Sequence, residues 1–280
     1  MSETLAPGLY IVATPIGNLS DLSPRAAQML AEADVVAVED SRVTAKLLHH
    51  IGVRSPMLAY HDHNADKVRP GLIARMASEA VALVSDAGTP LISDPGYKLV
   101  RDARAAGVPV TTAPGPCAAV AALTLAGLPT DRFAFLGFLP PKQGARAAAI
   151  AEAALFKGSL LFYESGPRLG AALAALQGGL GDRPAAVCRE ITKRFEETVT
   201  GSLAELAERY ADAAPKGEIV IVVGPPGEAE PAGEADVDAA LAEAMTRLSA
   251  SRAAAEVAEK LGLKRRDVYE RAQRMKEDEG

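Results

Sequence analysis

Three short Gly/Pro loops carry the residues best placed for ligand chemistry: Ala13-Thr14-Pro15-Ile16-Gly17-Asn18, Ser85-Asp86-Ala87-Gly88-Thr89-Pro90 and Ala113-Pro114-Gly115-Pro116-Cys117. Each follows an apolar, strand-like run, respectively Leu9 to Val12, Val81 to Val84 and Val108 to Thr111. Ligands of open α/β sheets lie beyond the carboxyl ends of the strands. Gly and Pro at those points bring main-chain N–H and C=O groups close to a small molecule. One such loop is most simply a tight turn; three in register predict a ligand cleft. The loops lack G-x-G-x-x-G, and no P-loop lysine follows any of their glycines. With Asp86 as the one acidic residue among them, they suit a small neutral or cationic ligand better than a polyphosphate.

Other reactive side chains read as structural. His61-Asp62-His63-Asn64 offers no third and fourth metal ligand at useful spacing, so a solvated loop in reach of RNA is the expectation. Cys117 has no sequence neighbour able to activate a thiolate and reads as a small packed thiol. His49-His50 falls at a helix end, where imidazole complements the helix dipole.

The elements that position the loops alternate. Up to about residue 115, strand-like and helix-like segments take turns, which predicts an α/β domain with a largely parallel sheet. Ser23-Pro24 starts a helix with an N-cap and a Pro at its first position, and Asp94-Pro95 reads as a repeat of that device, closed at Gly107. Asp34 to Val38 reads as a buried strand, and Ser41 to His50 as a helix ending at Gly52. A helix from Gly115 to about Ala126 and an aromatic-rich segment, Phe133 to Pro140, follow. Strands at Ser159–Glu164, Pro184–Cys188 and Glu218–Val223, with helices near Leu169–Leu176 and Leu203–Tyr210, make a second α/β unit. Lys193-Arg194 before Glu196-Glu197 reads as a salt-linked helix start. The expected domains are therefore 1–115 and 116–225, a Pro/Gly/Glu linker at 226–236, and a helix–turn–helix-like tail at 237–280.

The chain has 280 residues, 49% of them hydrophobic, enough for a large core in two domains. A net charge of −6 argues against a uniformly basic nucleic-acid coat, yet Arg252 to Lys276 carries eight Lys/Arg against four Asp/Glu. That tail either attracts phosphate or packs on the enzyme as an amphipathic pair. Two cysteines fit a reducing compartment, no run is long enough to span a bilayer, and Met1-Ser2-Glu3-Thr4 does not resemble a signal peptide. These features predict a cytoplasmic protein with no membrane and no metal.

The T-P-I-G-N loop, Val38-Glu39-Asp40-Ser41-Arg42-Val43-Thr44, Leu83 to Gly96 (LVSDAGTPLISDPG), Ala113 to Ala119, Phe162 to Arg168 and Cys188 to Lys193 (CREITK) together resemble the tetrapyrrole-methylase superfamily. More closely, they are similar to its ribosomal branch, which methylates a cytidine ribose 2′-oxygen in 16S rRNA of the small ribosomal subunit. The match runs over about residues 8 to 225. The resemblance implies two α/β domains, a homodimer, and S-adenosylmethionine held in the interdomain cleft. It places Pro15, Asp86, Gly88, Thr89, Gly115, Cys117 and Ala118 on the cofactor, together with Phe162, Tyr163, Glu164 and the strand around Ile221. Cys117 stands where relatives often have Ser.

Methyl transfer to oxygen asks mainly for alignment, plus a base or positive charge near a weakly acidic hydroxyl. The resemblance leaves Glu39, Asp40, Arg42, Glu164, Glu190 and Lys193 as candidates, and the sequence does not choose among them. Asp40 or Ser41 serves equally as the N-cap of the next helix. Two other functions compete: a tetrapyrrole methyltransferase on the same fold, and a non-catalytic nucleic-acid-binding regulator. The long segment at Val38 to Thr44 and the basic tail weigh against the first, and Lys264-Arg265-Arg266 is the main support for the second.

Overall fold

A computed structural model of the chain describes residues 5–227 and 234–278. The expected linker lies partly, and the leading Met1 to Thr4 wholly, outside the described residues. The chain divides into two compact units, Met1–Pro225 and Pro226–Gly280.

The first unit begins with β1 (Gly8–Val12), α1 (Pro24–Glu32), β2 (Val35–Val38), α2 (Ser41–His50), β3 (Met57–Ala59), α3 (Ala65–Arg75), β4 (Ala80–Leu83), α4 (Tyr97–Ala105) and β5 (Val110–Ala113). These strands form one sheet in the order β3-β2-β4-β1-β5, parallel throughout. Both faces of such a sheet are covered, and β2 and β4 are accordingly buried at every residue. Since β4, β1 and β5 are neighbours, the loops leaving their carboxyl ends emerge side by side.

The unit continues with α5 (Ala118–Leu125), β6 (Phe133–Phe138), α6 (Gln143–Ala154), β7 (Ser159–Ser165), α7 (Leu169–Leu180), β8 (Pro184–Arg189), β9 (Glu197–Ser202), α8 (Leu203–Arg209) and β10 (Glu218–Val223). The second sheet runs β6-β7-β10-β8-β9 and is mixed: β6 pairs parallel with β7, whereas β10 is antiparallel to both β7 and β8. Alternation on β7 divides its side chains. Leu160 and Phe162 enter one core, with α7 and α8, while Leu161 and Tyr163 face α5.

Several local expectations need correction. Asp94 does not cap α4. Gly96 is the N-cap, at φ +134, because Asp94 is half-buried and interacts instead with the Ser85 side chain. Lys193-Arg194 starts no helix; Glu197 opens β9, and Lys193 pairs elsewhere. The third strand starts at Val110 rather than Val108, and Pro109, which has no N–H to give, supplies only its carbonyl to Leu9 N (2.9 Å). β3, α3, α6 and β9 were not anticipated. The Asn64 side chain makes the His61–Asn64 segment the turn into α3, accepting from His61 N (2.9 Å) and donating to Ala59 O (2.9 Å). By contrast, Ser23 caps α1 through Ala26 N (3.1 Å), as its sequence predicts.

In the second unit, α9 (Glu234–Met245), α10 (Ala250–Leu261) and α11 (Arg265–Asp278) enclose a small core of Leu241, Ala253, Ala254, Val257, Val268 and Ala272. Gly262-Leu263 makes the turn between α10 and α11. Arg271 closes the bundle by donating to the Asp238 carboxylate (2.7 Å). Among the described residues, no helix is long and apolar enough to cross a membrane.

Candidate active site

Hydrogen bonds join the three Gly/Pro loops into one wall. Thr14 and Gly88 form a two-way main-chain bridge, with Thr14 N donating to Gly88 O (2.8 Å) and Gly88 N to Thr14 O (3.1 Å). Thr89 Oγ1 donates to Pro116 O (2.9 Å), tying the second loop to the third. The first and third approach so closely that a Cβ on Gly115 would lie 2.9 Å from the Ala13 Cβ. Gly88 sits at φ +80, a conformation costly for any residue with a side chain.

This wall and the second sheet enclose a cavity of about 470 Å³ within the first unit. Of the residues singled out from the sequence, Glu39, Asp86, Gly88, Thr89, Cys117, Ala118 and Glu164 line it. Tyr163 also lines it, as do Ile219 and Val220 of the strand around Ile221, together with residues the sequence reading missed, including Ser93, Asp94, Phe138, Ser165, Ile191, Gly217 and Glu218. The alternation of β10 could have identified Val220, since Ile221 points into the opposite core. Ile191 lies inside the CREITK segment, which the sequence marked without giving this residue a role, and nothing local marked Gly217.

Other predicted residues lie outside the cavity wall. Phe162 is 1% exposed and points into the core on the far side of the sheet, because it alternates with Tyr163. Pro15 is buried within the first loop but does not line the cavity, and Gly115 sets the spacing of the loops. Asp40 caps α2 through Arg42 N (2.8 Å) and also accepts from Arg42 Nε (3.0 Å). The Arg42 guanidinium, hydrogen-bonded to it, holds Asp40 down at about 2, so this carboxylate is a poor base. Lys193 is spent on Glu190 (3.0 Å) and Glu218 (3.1 Å), which also accounts for Glu190.

The electrostatics of the cavity are one-sided. Glu39, Asp86, Asp94, Glu164 and Glu218 line it, and no Lys, Arg or His does so among the described residues. Burial, reinforced by the Asp86 and Asp94 carboxylates, pushes the Glu39 carboxyl up. Burial likewise raises Asp94. Asp86 Oδ1 accepts from Asp40 N (2.9 Å), pinning the end of β2 to the loop after β4. The Glu164 side chain is 1% exposed; Oε1 accepts from Ser165 N (2.8 Å) and Oε2 lies 3.3 Å from Arg168 without a hydrogen bond.

Backbone strain gathers at the same place. Leu91 (φ +75), Ser93 (φ +64), Glu190 (φ +50) and Thr192 (φ +66) are the non-glycine residues with positive φ among those described. Ser93 lines the cavity, and Glu190 and Thr192 flank its wall residue Ile191. Such conformations persist only where the surroundings impose them.

The rim at Cys117 has a cap supplied from another strand. Cys117 is the N-cap of α5 yet gives its helix no side-chain hydrogen bond. Instead the Tyr163 hydroxyl reaches across from β7 and accepts from Ala119 N (3.2 Å), the second N–H of the helix. Burial, then the neighbouring Cys117, pushes Tyr163 up to about 12, keeping the phenol neutral.

Two α/β sheets, with strand-end loops walling a carboxylate-lined cavity, define an α/β protein built to hold a small ligand, and comparison with known proteins gives the class. Residues 8–207 match the family model for Tetrapyrrole (Corrin/Porphyrin) Methylases, and residues 231–276 match that of the RsmI C-terminal HTH domain. The chain belongs to the tetrapyrrole methylase family, in the group named ribosomal RNA small subunit methyltransferase I. It is 53% identical to the protein of that name from Erythrobacter litoralis over 98% of both chains. It is 48% identical to the Mesorhizobium japonicum protein, over 100% of this chain and 96% of that one. Among solved structures, diphthine synthase is similar at TM-score 0.61 and 18% identity, over 78% of this chain and 89% of that one. Uroporphyrin-III C-methyltransferase of Thermus thermophilus, complexed with S-adenosylhomocysteine, is similar at TM-score 0.54 and 22% identity, over 78% and 97%. At those identities the structures speak to fold alone.

Proposed function

We propose that this chain methylates the ribose 2′-oxygen of a cytidine in 16S rRNA of the small ribosomal subunit, using S-adenosylmethionine, as a cytoplasmic homodimer. The observation that carries the reading is the cavity's chemistry, five lining carboxylates of which Glu164 and Glu218 pair with Arg168 and Lys193 outside the lining while Glu39, Asp86 and Asp94 face one another, in a chain whose full-length relatives bear that enzyme name. Carboxylates and main-chain groups suit a sulfonium with an amino-acid tail and would repel a polyphosphate. The residues therefore fit the cofactor. Bound there, it supplies an electrophilic methyl group on a positively charged sulfur.

The chain's own groups divide the remaining work. Asp86, Gly88, Thr89, Cys117 and Ala118 hold the cofactor with loop main chain and one carboxylate. Ile16, Ile191 and Val220 keep water from the reacting centre. Glu39 is the general base: it lines the cavity, and burial gives it the higher affinity for a proton that removal of the 2′-hydroxyl hydrogen requires. Glu164, fixed by Ser165 and Arg168, contributes negative field rather than proton transfer.

The test is incubation with labelled cofactor and small subunits from cells lacking the enzyme, followed by mapping of ribose methylation. One 2′-O-methylcytidine in 16S rRNA is expected. Label in uroporphyrinogen instead, or in no acceptor despite tight cofactor binding, would overturn the assignment.

A further inference from the structure

We infer that an exposed flank of α11 is a docking surface for single-stranded RNA, with Tyr269 stacking on an unpaired base between arginine and lysine contacts to phosphate. This rests on the proposed rRNA substrate and adds how that substrate is held.

Val268 and Ala272 turn inward to the three-helix core and fix the orientation of α11. At about 100° per residue, Arg265, Lys276, Tyr269, Gln273 and Arg266 then fall in one sector about 100° wide on a flank of the helix beside the core stripe. Asp267 and Glu270 fall outside it. Three of the five cations of the helix thus share a flank with its one aromatic ring, while Arg271 turns to Asp238 and Arg274 lies further round, between Glu270 and Asp267.

The cations on this face are exposed and only lightly tied. Arg266, 85% exposed, makes a surface ion pair with Glu270 at 3.3 Å, worth little in water, while Arg265 donates to Ser251 Oγ at 3.4 Å. Arg247 and Arg271, whose partners are Glu256 and Asp238, belong to the bundle and not to this surface. Tyr269 is 38% exposed, and Gln273 Nε2 donates to its hydroxyl (2.6 Å). That bond engages the polar edge and leaves the exposed part of the ring for a partner.

Positive charge selects a phosphate backbone, and the ring selects among its forms. Base faces are available for stacking only where the strand is unpaired. In a duplex they are covered, and a side chain can reach only edges and backbone.

The experiment uses the full chain and a fluorescent, unstructured single-stranded oligoribonucleotide, with the matching RNA duplex as a second probe. Tyr269→Ala is expected to weaken single-strand binding about tenfold, in line with the loss of one stacked base, without altering its salt dependence. Tyr269→Phe should bind as the wild type does. Replacing Arg265, Arg266 and Lys276 by Gln should flatten the salt slope by about 2, at roughly 0.7 per phosphate contact on a single strand. Far-UV circular dichroism and cofactor calorimetry should be unchanged in each variant, which separates binding from folding. Equal single-strand affinity in wild type and Tyr269→Ala, or preference of the wild type for duplex, would overturn the inference. Methylation of small subunits by the wild type is read in parallel. If it occurs while the variants bind RNA normally, this inference alone fails; if it does not occur while the variants lose RNA, the proposed function alone fails.

Discussion

Removing one oxygen atom tests how the cavity rim is built. In Tyr163→Phe the ring remains, with its edge-to-face contacts to Phe135 (4.7 Å) and Phe138 (5.6 Å), but the acceptor for Ala119 N–H disappears. Cys117 offers α5 no side-chain bond, so that N–H loses its only cap. Losing an N-terminal cap costs about 1 kcal/mol, within a range of about 0.5–2. For a domain of this size, that is a fall of about 2–4 °C in Tm. Because Cys117 and Ala118 line the cavity, up to the same energy is lost from cofactor binding, or about a fivefold rise in Kd, since 1.4 kcal/mol is tenfold. Cys117→Ser in the same background places a hydroxyl at the N-cap, where it can reach the second or third N–H, and should restore most of both losses. Denaturant unfolding and calorimetric titration with the cofactor, run as a double-mutant cycle, measure the coupling. No loss in Tyr163→Phe, or no recovery on adding Cys117→Ser, would refute the account of the cap.

The same variant carries a pH signature. Tyr163 is raised from 10.0 to about 12 in the folded chain, so the folded state binds the proton more tightly than the unfolded one. Its contribution is fully present below pH 10 and is lost as pH rises to about 12; wild type should therefore lose more stability across that window than Tyr163→Phe. Glu39 is raised from 4.5, so its ionisation opposes folding. Glu39→Gln should match wild type in acid and exceed it at neutral pH by denaturant unfolding, while methyl transfer falls about 10²–10⁴-fold. Gly115→Val would push a side chain against the Ala13 Cβ, 2.9 Å from its own Cβ, and should abolish cofactor binding by calorimetry at a stability cost of about 1–3 kcal/mol. Deleting residues 237–280 should spare cofactor affinity and raise KM for small subunits, measured by filter-bound label.

The functional loops were legible because their chemistry is local. Thr14-Pro15-Ile16-Gly17, Asp86-Ala87-Gly88-Thr89 and Ala113-Pro114-Gly115 each sit at the end of a short apolar run, and Ser23-Pro24 and Gly262 mark helix ends through their own backbone preferences. Elements whose signal is weak locally were missed. β3 spans only Met57–Ala59, and α3 carries Pro70 within it. β9 follows a charged segment that reads as a helix start. Asp94 shows the limit well. Asp-Pro ahead of an apolar run is a good capping signal, yet tertiary burial drew its carboxylate toward Ser85 and left Gly96 to begin α4.

The sequence by itself determined the α/β class, the three strand-end loops, the helical tail and the family, since these depend on residue type, short-range spacing and motif. Only the tertiary structure decided which residues share the cavity. Sheet order set β4, β1 and β5 side by side; strand alternation turned Phe162 away and Tyr163 inward. Arg42, two residues on, ties up Asp40 locally, whereas Lys193 pairs with Glu218, distant in the chain, and the fold leaves Glu39 beside Asp86 and Asp94 on a wall lined by no cation among the described residues. The surroundings of Glu39 follow from neighbours distant in the chain, and no local pattern of residues encodes them.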